Sequence, residues 1–288
     1  MIIDDHNHPE WYGYCFDKFI ENMDQYGIDQ TWLLSWECPL DEYDPAYQPV
    51  IPDRGPGGPI SFMHCLSFKQ KAPDRFVLGY APDPRRPDAL SLFQTAVRDF
   101  SVRIFGELKL RMMLDNPDAV RLYRYCGDMG IPVLVHIDYE LPAKDTNIRP
   151  NWWYGGGIEA LGRALELCPQ TTFLGHAPGF WAHISGDQRH LTEAYPGGPV
   201  LPGGRLIELL DLYPNLYCDL SAGSGYNALS RDPQFATQFI LTYQDRLLYG
   251  RDYFDNQHQE FLNNLDLPMN VLNKIFYGNA MRLVKGGL

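Results

Sequence analysis

The sequence predicts an α/β protein with the (β/α)8 architecture of a TIM barrel, in one domain that spans residues 1–288. Three observations lead to this prediction. Eight short apolar runs recur along the chain, segments with helical periodicity alternate with them, and a length of 288 residues suits one such barrel. A hydrophobic content of 45% is also enough to form a large core.

The eight apolar runs are rich in residues that favour β-strands. They cover residues 1–4, 31–36, 76–80, 103–108, 132–137, 172–175, 215–220 and 246–250. Several are almost continuously apolar, as in Ile131-Pro132-Val133-Leu134-Val135, which is typical of parallel strands covered by helices. The clearest helix candidates lie between the runs, at residues 16–26, 117–130, 157–168, 204–213 and 233–243.

Long segments rich in proline and glycine follow several of the predicted strands. They cover residues 38–59, 81–87, 137–157 and 177–204. In a TIM barrel the loops that follow the strands form the C-terminal face, where active sites lie. We therefore expect these long βα loops to carry function rather than to link domains.

The charge balance and the cysteines limit the classes of partner and compartment. A net charge of -12 would repel a phosphate backbone, so we expect a small-molecule substrate and no nucleic acid. No run approaches the roughly 18 apolar residues of a membrane span. Met1 leads into an apolar strand without a basic segment, and the six cysteines form no CxxC pair. These features predict a cytoplasmic protein. They are compatible with a homo-oligomer.

The first strand ends in a pair of histidines, His6 and His8. Residues two apart on a strand face the same side, so both imidazoles can hold one metal ion. An isolated HxH pair is a weak signal, because polar pairs are common where a strand meets a loop. The interpretation therefore depends on what the other strands place beside it.

Three further strands end in residues that bind metals. His136 and His176 end the fifth and sixth apolar runs, and Asp252 follows the eighth. Each of them alone has an ordinary explanation, such as a packed histidine or an aspartate that caps a helix. Together with the HxH pair they form the ligand set of Zn2+, with Mn2+ and Fe2+ as alternatives. Such an ion activates water, and Asp252 would then accept its proton.

This arrangement resembles the amidohydrolase superfamily of metal-dependent TIM-barrel hydrolases over almost the whole chain. Three segments are most similar to its amidohydrolase 2 branch, at residues 173–177, 249–253 and 274–283. That branch contains hydrolases and non-oxidative decarboxylases. The resemblance implies a set of metal ligands: His6, His8, His136 and Asp252. It makes His176 either a further ligand or a catalytic group that polarises the substrate.

Strand four adds a carboxylate to this set. Glu107, Lys109 and Arg111 share one face by parity, while the intervening leucines face the helices. Glu107 resembles the strand-four glutamate that bridges two metals in binuclear members of the superfamily, where a carboxylated lysine can take the same place. One-metal decarboxylases usually lack it. The alternative is that Glu107 forms a buried ion pair with Lys109 or Arg103, so one or two ions remain open.

A second group of residues is predicted to bind the substrate. The loop after strand five carries Arg149, Trp152 and Trp153, and Lys109 and Arg111 reach the same rim from strand four. Lysine and arginine pair with carboxylates and phosphates, and the indole rings can cover an apolar part. We expect a small, anionic substrate with a hydrophobic portion.

The sequence therefore predicts a metal-dependent hydrolase. A metal-activated water would attack the carbonyl of an amide, lactone or other ester, and the metal or His176 would stabilise the oxyanion. The alternative is a metal-dependent non-oxidative decarboxylase of an aromatic or unsaturated acid, which the branch resemblance favours and Glu107 opposes. A non-catalytic metal-binding barrel would not require so many ligands at an open rim.

Overall fold

Each of the eight predicted apolar runs overlaps a β-strand in the computed structural model, which describes residues 1–43, 47, 50–51, 58–138 and 153–285. All neighbouring strands within the two sheets are parallel. The strands are β1 Ile3–Asn7, β2 Gln30–Leu34, β3 Phe76–Gly79, β4 Phe105–Leu108, β5 Val133–His136, β6 Phe173–His176, β7 Leu216–Asp219 and β8 Leu247–Leu248.

Helices follow the strands as the periodicity predicts. In the described residues they are α1 Phe16–Gln25, α2 Phe62–Lys71, α3 Ala89–Phe100, α4 Pro117–Met129, α5 Ile158–Leu167, α6 Pro178–Trp181, α7 Arg205–Leu212, α8 Ala222–Ser230, α9 Pro233–Tyr243, α10 Gln257–Asn264, α11 Met269–Asn273 and α12 Asn279–Lys285. Short 3-10 turns cover Trp11–Gly13, Leu40–Glu42, Ala182–Ile184 and Arg189–Leu191, and a π-helical turn covers Lys274–Gly278. None of the described helices has the length and hydrophobicity to cross a membrane.

Local chemistry explains where helix α4 begins and ends. The side chain of Asn116 caps its first turn by accepting a hydrogen bond from the backbone N–H of Asp118, and Pro117 occupies the first helical position. The helix ends at Gly130, which adopts the left-handed conformation with φ 64°. These signals match the helix that the sequence predicts over residues 117–130.

The strands close into a barrel in their sequence order. Strands β1 to β3 form one ladder and β4 to β8 another. Backbone hydrogen bonds join the ladders at both seams: the N–H of Tyr80 donates to Ile104 O at 3.0 Å, and the N–H of Asp5 donates to Tyr249 O at 2.9 Å. The α/β barrel predicted from the sequence is confirmed, and its C-terminal face gathers the ends of all eight strands.

The barrel has an apolar floor inside and a larger apolar layer between strands and helices. The inner cluster takes one or two side chains from most strands: Ile3, Trp32, Leu34, Ile104, Leu134, Leu174 and Leu248. Leu108 and Leu110 belong to the outer layer, as the parity of strand four predicts. Polar residues on the inner face of the barrel are therefore confined to the level above this floor, towards the C-terminal face.

Two irregularities in strand register bring polar side chains inward. Ile3 lies in the inner cluster, yet His6, three residues later, also points into the barrel. Likewise Ile104 lies inside and so does Glu107. The ladder shifts register within β1 and within β4, and such a shift changes which face the following residues occupy.

The backbone is strained at the top of strand β6. Ala177, directly after His176, has φ 81° and ψ 172°, a combination that is almost confined to glycine. Ala222 and Asp252, after strands β7 and β8, also have positive φ values of 59° and 53°. Strained residues persist only where the surrounding structure determines them, and these three flank the ends of strands that carry polar side chains.

The strain at Ala177 predicts how a glycine at this position changes the free energy of unfolding. Ala177→Gly should relieve the strain, whereas Ala164→Gly, a matched change of a buried alanine in helix α5, should add the usual cost of a helical glycine. We expect the free energy of unfolding of Ala177→Gly to exceed that of Ala164→Gly by about 2 kcal/mol. Urea denaturation measures both; equal destabilisation would show that Ala177 is not strained.

Candidate metal centre

The six side chains that the sequence nominates as ligands meet inside the mouth of the barrel. Their ligand atoms form three overlapping groups, each within 4.8 Å: His6, His8 and Glu107; His6, His176 and Asp252; and Glu107, His136 and His176. Five of these residues are buried, and Asp252 is partly exposed. The structure thus brings together every predicted ligand, although they come from five separate strand ends.

His6 and His8 face each other with the same type of atom. His8 Nδ1 lies 2.9 Å from Leu34 O, an acceptor, so this nitrogen donates and Nε2 carries the lone pair. His6 Nδ1 lies 2.6 Å from a carboxylate oxygen of Asp219 and also acts as a donor. The two Nε2 atoms, both acceptors in neutral imidazoles, are 3.3 Å apart. Only a cation or a proton between them satisfies this arrangement, so the residues fit a metal ion.

Glu107 lies between two groups of histidines. Its Oε2 is 3.3 Å from His8 Nε2, while its Oε1 is 2.6 Å from His136 Nδ1 and 4.0 Å from His176 Nε2. The predicted alternative, an ion pair with Lys109 or Arg103, is not formed by these residues. The carboxylate therefore has one oxygen towards each side of the centre.

Asp252 approaches the centre from the opposite side of the barrel. Its Oδ1 is 3.6 Å from His8 Nε2 and 3.8 Å from His6 Nε2, and its Oδ2 is 3.7 Å from His176 Nε2. Oδ1 is buried without a hydrogen-bond partner. Asp252 is not the cap of the next helix, because Asn256 occupies that position before α10. With 13% of its side chain exposed, it faces both the imidazoles and the mouth.

A seventh residue, Asp219 at the end of β7, orients two of the imidazoles. Its Oδ2 is 2.6 Å from His6 Nδ1 and 3.2 Å from His176 Nδ1, and Ser221 Oγ donates to the same oxygen at 2.9 Å. Burial alone would raise the pKa of Asp219, but the imidazoles of His176 and His6 hold it well below its usual range. A histidine ligand usually donates its second nitrogen to such a carboxylate, which turns the other nitrogen towards the metal.

Asp138 supports His136 in the same way. Its Oδ2 lies 2.9 Å from His136 Nε2, which leaves Nδ1 of that ring facing Glu107. The sequence did not predict that Asp138 and Asp219 orient the imidazoles. One signal was present, because Asp219 ends its apolar strand at the same relative position as His136 and His176.

The charges of the centre attract a cation. Burial would lower the pKa of His6, but the carboxylates of Asp252 and Asp219 raise it to about 10. Burial would raise the pKa of Glu107, yet the ammonium group of Lys109 and the ring of His136 hold it well below its usual range. Glu107 and Asp219 therefore stay ionised, and their negative charges favour a cation at the centre.

The predicted substrate-binding residues occupy different places. Lys109 is buried beside the centre, with 4% of the residue exposed. The guanidinium of Arg111 lies over the ring of Trp153, 5.6 Å from its centroid. Arg149 and Trp152 lie outside the described residues, so their predicted contacts with a substrate stay predictions.

Comparison with models of protein families identifies the family of the chain. A model of the amidohydrolase family, in its amidohydrolase 2 branch, matches residues 62–286. The chain belongs to the amidohydrolase 2 family. This membership and the cluster of ligands both support a divalent metal in this amidohydrolase 2 member. A search of curated proteins found none that matches it.

Solved structures share the fold of this amidohydrolase 2 member at low identity. An uncharacterised TIM-barrel protein, Bb4693 from Bordetella bronchiseptica, has a TM-score of 0.66 and 20% identity, with 99% of each chain covered. A dihydroxybenzoic acid decarboxylase from Polaromonas sp. JS666, with bound manganese, has a TM-score of 0.61 and 15% identity, covering 99% of this chain and 96% of that one. A candidate 2-pyrone-4,6-dicarboxylic acid hydrolase from Pseudomonas putida has a TM-score of 0.60 and 16% identity, covering 100% and 98%.

The raised pKa of His6 predicts how metal binding depends on pH. Below about pH 10 the metal-free His6 is protonated, so a metal ion must displace that proton. The apparent affinity for Zn2+ should therefore fall at least tenfold for each unit by which the pH is lowered, or at least about 100-fold from pH 8 to pH 6, because the pKa of His136 is raised as well. Competition with a chromophoric chelator, corrected for its own protonation, measures this. Equal affinities at pH 6 and pH 8 would contradict the assigned charge state.

Proposed function

We propose that this protein is a metal-dependent hydrolase that holds two divalent ions and cleaves an ester, lactone or amide bond of a small anionic substrate. Family membership supports an enzyme of the amidohydrolase superfamily. The hydrolase reaction itself is our inference from the geometry of the centre.

One observation carries the proposal: the carboxylate of Glu107 lies between two sets of ligands. Glu107 Oε2 is 3.3 Å from His8 Nε2, with Asp252 nearby, whereas Glu107 Oε1 is 2.6 Å from His136 Nδ1. His6 and His176 lie between these two sides, and their Nε2 atoms are 3.9 Å and 4.0 Å from Oε1. A carboxylate has two oxygens and can donate one to each of two ions. This division supports a binuclear centre bridged by Glu107 better than a centre with one ion.

We assign a role in hydrolysis to the ions and to Asp252. Divalent ions at the centre would supply Lewis acidity and lower the pKa of a water molecule. Asp252 would accept the proton of that water, because Oδ1 is unpartnered and the side chain reaches the mouth. The same carboxyl group would return the proton to the leaving oxygen or nitrogen of the substrate.

The outer residues keep the imidazoles fixed while the proton moves. Asp219 and Ser221 hold the Nδ1 side of His6 and His176, and Asp138 holds His136. Because each ring has only one nitrogen directed into the centre, the ligands need no rearrangement during the reaction. Such fixed groups stabilise developing charge without a cost of reorganisation.

We further propose zinc as the ion, with manganese and iron as alternatives, because imidazole and carboxylate donors suit all three. A cytoplasmic location is supported by the six cysteines, all of which are free thiols. The net charge of -12 supports a small molecule rather than nucleic acid or an anionic membrane surface as the partner. A homo-oligomer is compatible with the proposal.

Non-oxidative decarboxylation of an aromatic or unsaturated acid is the second candidate. Its support is that solved decarboxylases share the fold across 99% of this chain. It needs only one ion, so Glu107 would then contact a ligand or the substrate instead of bridging. The number of ions bound therefore separates the two candidates.

The bridge predicts a change in metal stoichiometry. Glu107→Gln removes a negative oxygen from both ligand sets, so the bound metal should fall from two ions per chain towards one. The control is Glu159→Gln, which changes a glutamate paired with Arg205 on the surface and should leave the stoichiometry at two. Elemental analysis after dialysis measures both variants. One ion per chain in the unchanged protein would refute the bridge.

The role of Asp252 predicts a loss of turnover. Asp252→Asn keeps an oxygen towards the centre but accepts no proton, so kcat should fall by about 10²- to 10⁴-fold while the protein stays folded. A panel of lactones, esters, amides and aromatic acids identifies the reaction, with product acid and released CO2 assayed separately. Release of CO2 from an acid, without hydrolysis of any other compound, would favour the decarboxylase.

A further inference from the structure

Lys109 is a buried cation enclosed by aromatic rings. Its Nζ lies 4.4 Å from the ring centroids of both Trp36 and Tyr47, and 5.7 Å from that of Tyr154. The hydroxyl of Tyr47, at 3.4 Å, is its hydrogen-bond partner among the described residues. An ammonium group has three N–H donors, so most of its capacity is unused.

The nearby carboxylates do not neutralise this charge. In the part of the chain that the structure describes, no carboxylate oxygen lies within 4 Å of Lys109 Nζ. Glu107, two residues earlier, is directed towards His8 and His136. Asp138 is directed towards His136. Both carboxylates are committed to the metal centre, and they act on Lys109 only from a distance.

A buried ammonium without an ion pair is costly, and aromatic faces compensate for only part of that cost. The faces of Trp36 and Tyr47, with centroids 4.4 Å from Nζ, provide the surroundings that a cation favours over a neutral amine. An arrangement that keeps a charge buried and underbonded is expected where a ligand completes it. An anion is the ligand that an ammonium group requires.

A row of rings connects Lys109 with the metal centre. Tyr47 is 5.7 Å from Trp11, Trp11 is 4.9 Å from Tyr12, and Tyr12 is 5.2 Å from Tyr253, measured between centroids. Trp11 also lies 5.6 Å from the ring of His8, and its Nε1 donates to Asp252 O. The side chains that extend from Lys109 to the metal ligands are therefore aromatic, and such a surface suits a planar or cyclic molecule.

We propose that Lys109 binds the carboxylate of a ring-bearing substrate, and that this carboxylate is retained during the reaction. The group that is cleaved would lie beside Glu107, two residues before Lys109 in the chain. The cleaved position rests on the proposed hydrolase function. Binding of a carboxylate at Lys109 does not.

Binding of benzoate to the metal-loaded protein tests the proposal. Calorimetry and thermal shift should detect benzoate and should detect neither benzamide nor inorganic phosphate. Lys109→Met keeps most of the length of the side chain but removes its charge, so the affinity for benzoate should fall at least tenfold. Lys109→Arg should restore part of that affinity. The matched control is Lys71→Met, because Lys71 Nζ also lies over an aromatic ring, 5.0 Å from the centroid of Phe16. The Lys71→Met variant should bind benzoate as the unchanged protein does.

The ligand-free proteins give a second readout. If Lys109 is an underbonded cation, Lys109→Met should have a Tm equal to or above that of the unchanged protein. A lower Tm together with undiminished benzoate binding would overturn the proposal, and so would tighter binding of phosphate than of benzoate. Loss of binding in Lys109→Met without hydrolysis of any ester, lactone or amide would support the carboxylate site and reject the hydrolase.

Discussion

One buried carboxylate, that of Asp219, orients much of the metal centre. It accepts hydrogen bonds from His6 and Ser221, and its Oδ2 lies 3.2 Å from Nδ1 of His176, which is also 2.9 Å from Ser221 Oγ. These bonds determine the tautomer of both rings and direct their Nε2 atoms inward. The packing around this carboxylate leaves no room for a side chain at Gly250. A Cβ there would lie 2.8 Å from Asp219 Oδ1 and 2.3 Å from Asp5 Oδ1. A side chain at position 250 would therefore displace the group that orients the ligands.

The centre concentrates acceptors, and the described residues do not satisfy all of them. Two imidazole lone pairs lie 3.3 Å apart, Glu107 and Asp252 stay close to them, and Lys109 remains an underbonded cation nearby. The barrel tolerates this because its apolar floor and outer core are continuous beneath it. Groups held in such positions lower stability in the absence of ligands, and ligands that bind the folded state recover it. The arrangement is therefore understood as preparation for a metal and an anion.

The sequence predicted the strands and most of the centre, for a simple reason. Apolar runs and the polar residues that end them are local features, and a barrel brings all its strand ends to one face. Parity alone would not place both Ile3 and His6 inside, because the register shift in β1 is set by pairing with β2. The orienting role of Asp219 could not be predicted, since its partner His6 lies 213 residues away in the chain. The rings around Lys109 come from two separate loops, those that follow β2 and β5, which no local pattern relates.

The central claim is that Glu107 divides the ligands between two ions. An anomalous-scattering map from crystals of the zinc-loaded protein, collected on both sides of the zinc edge, tests it most directly. The account predicts two peaks about 3.5–4 Å apart, one beside His6 and His8 and the other beside His136 and His176, with Glu107 between them. A single peak beside His6 and His8 in crystals with excess zinc, with Glu107 out of reach, would contradict the account.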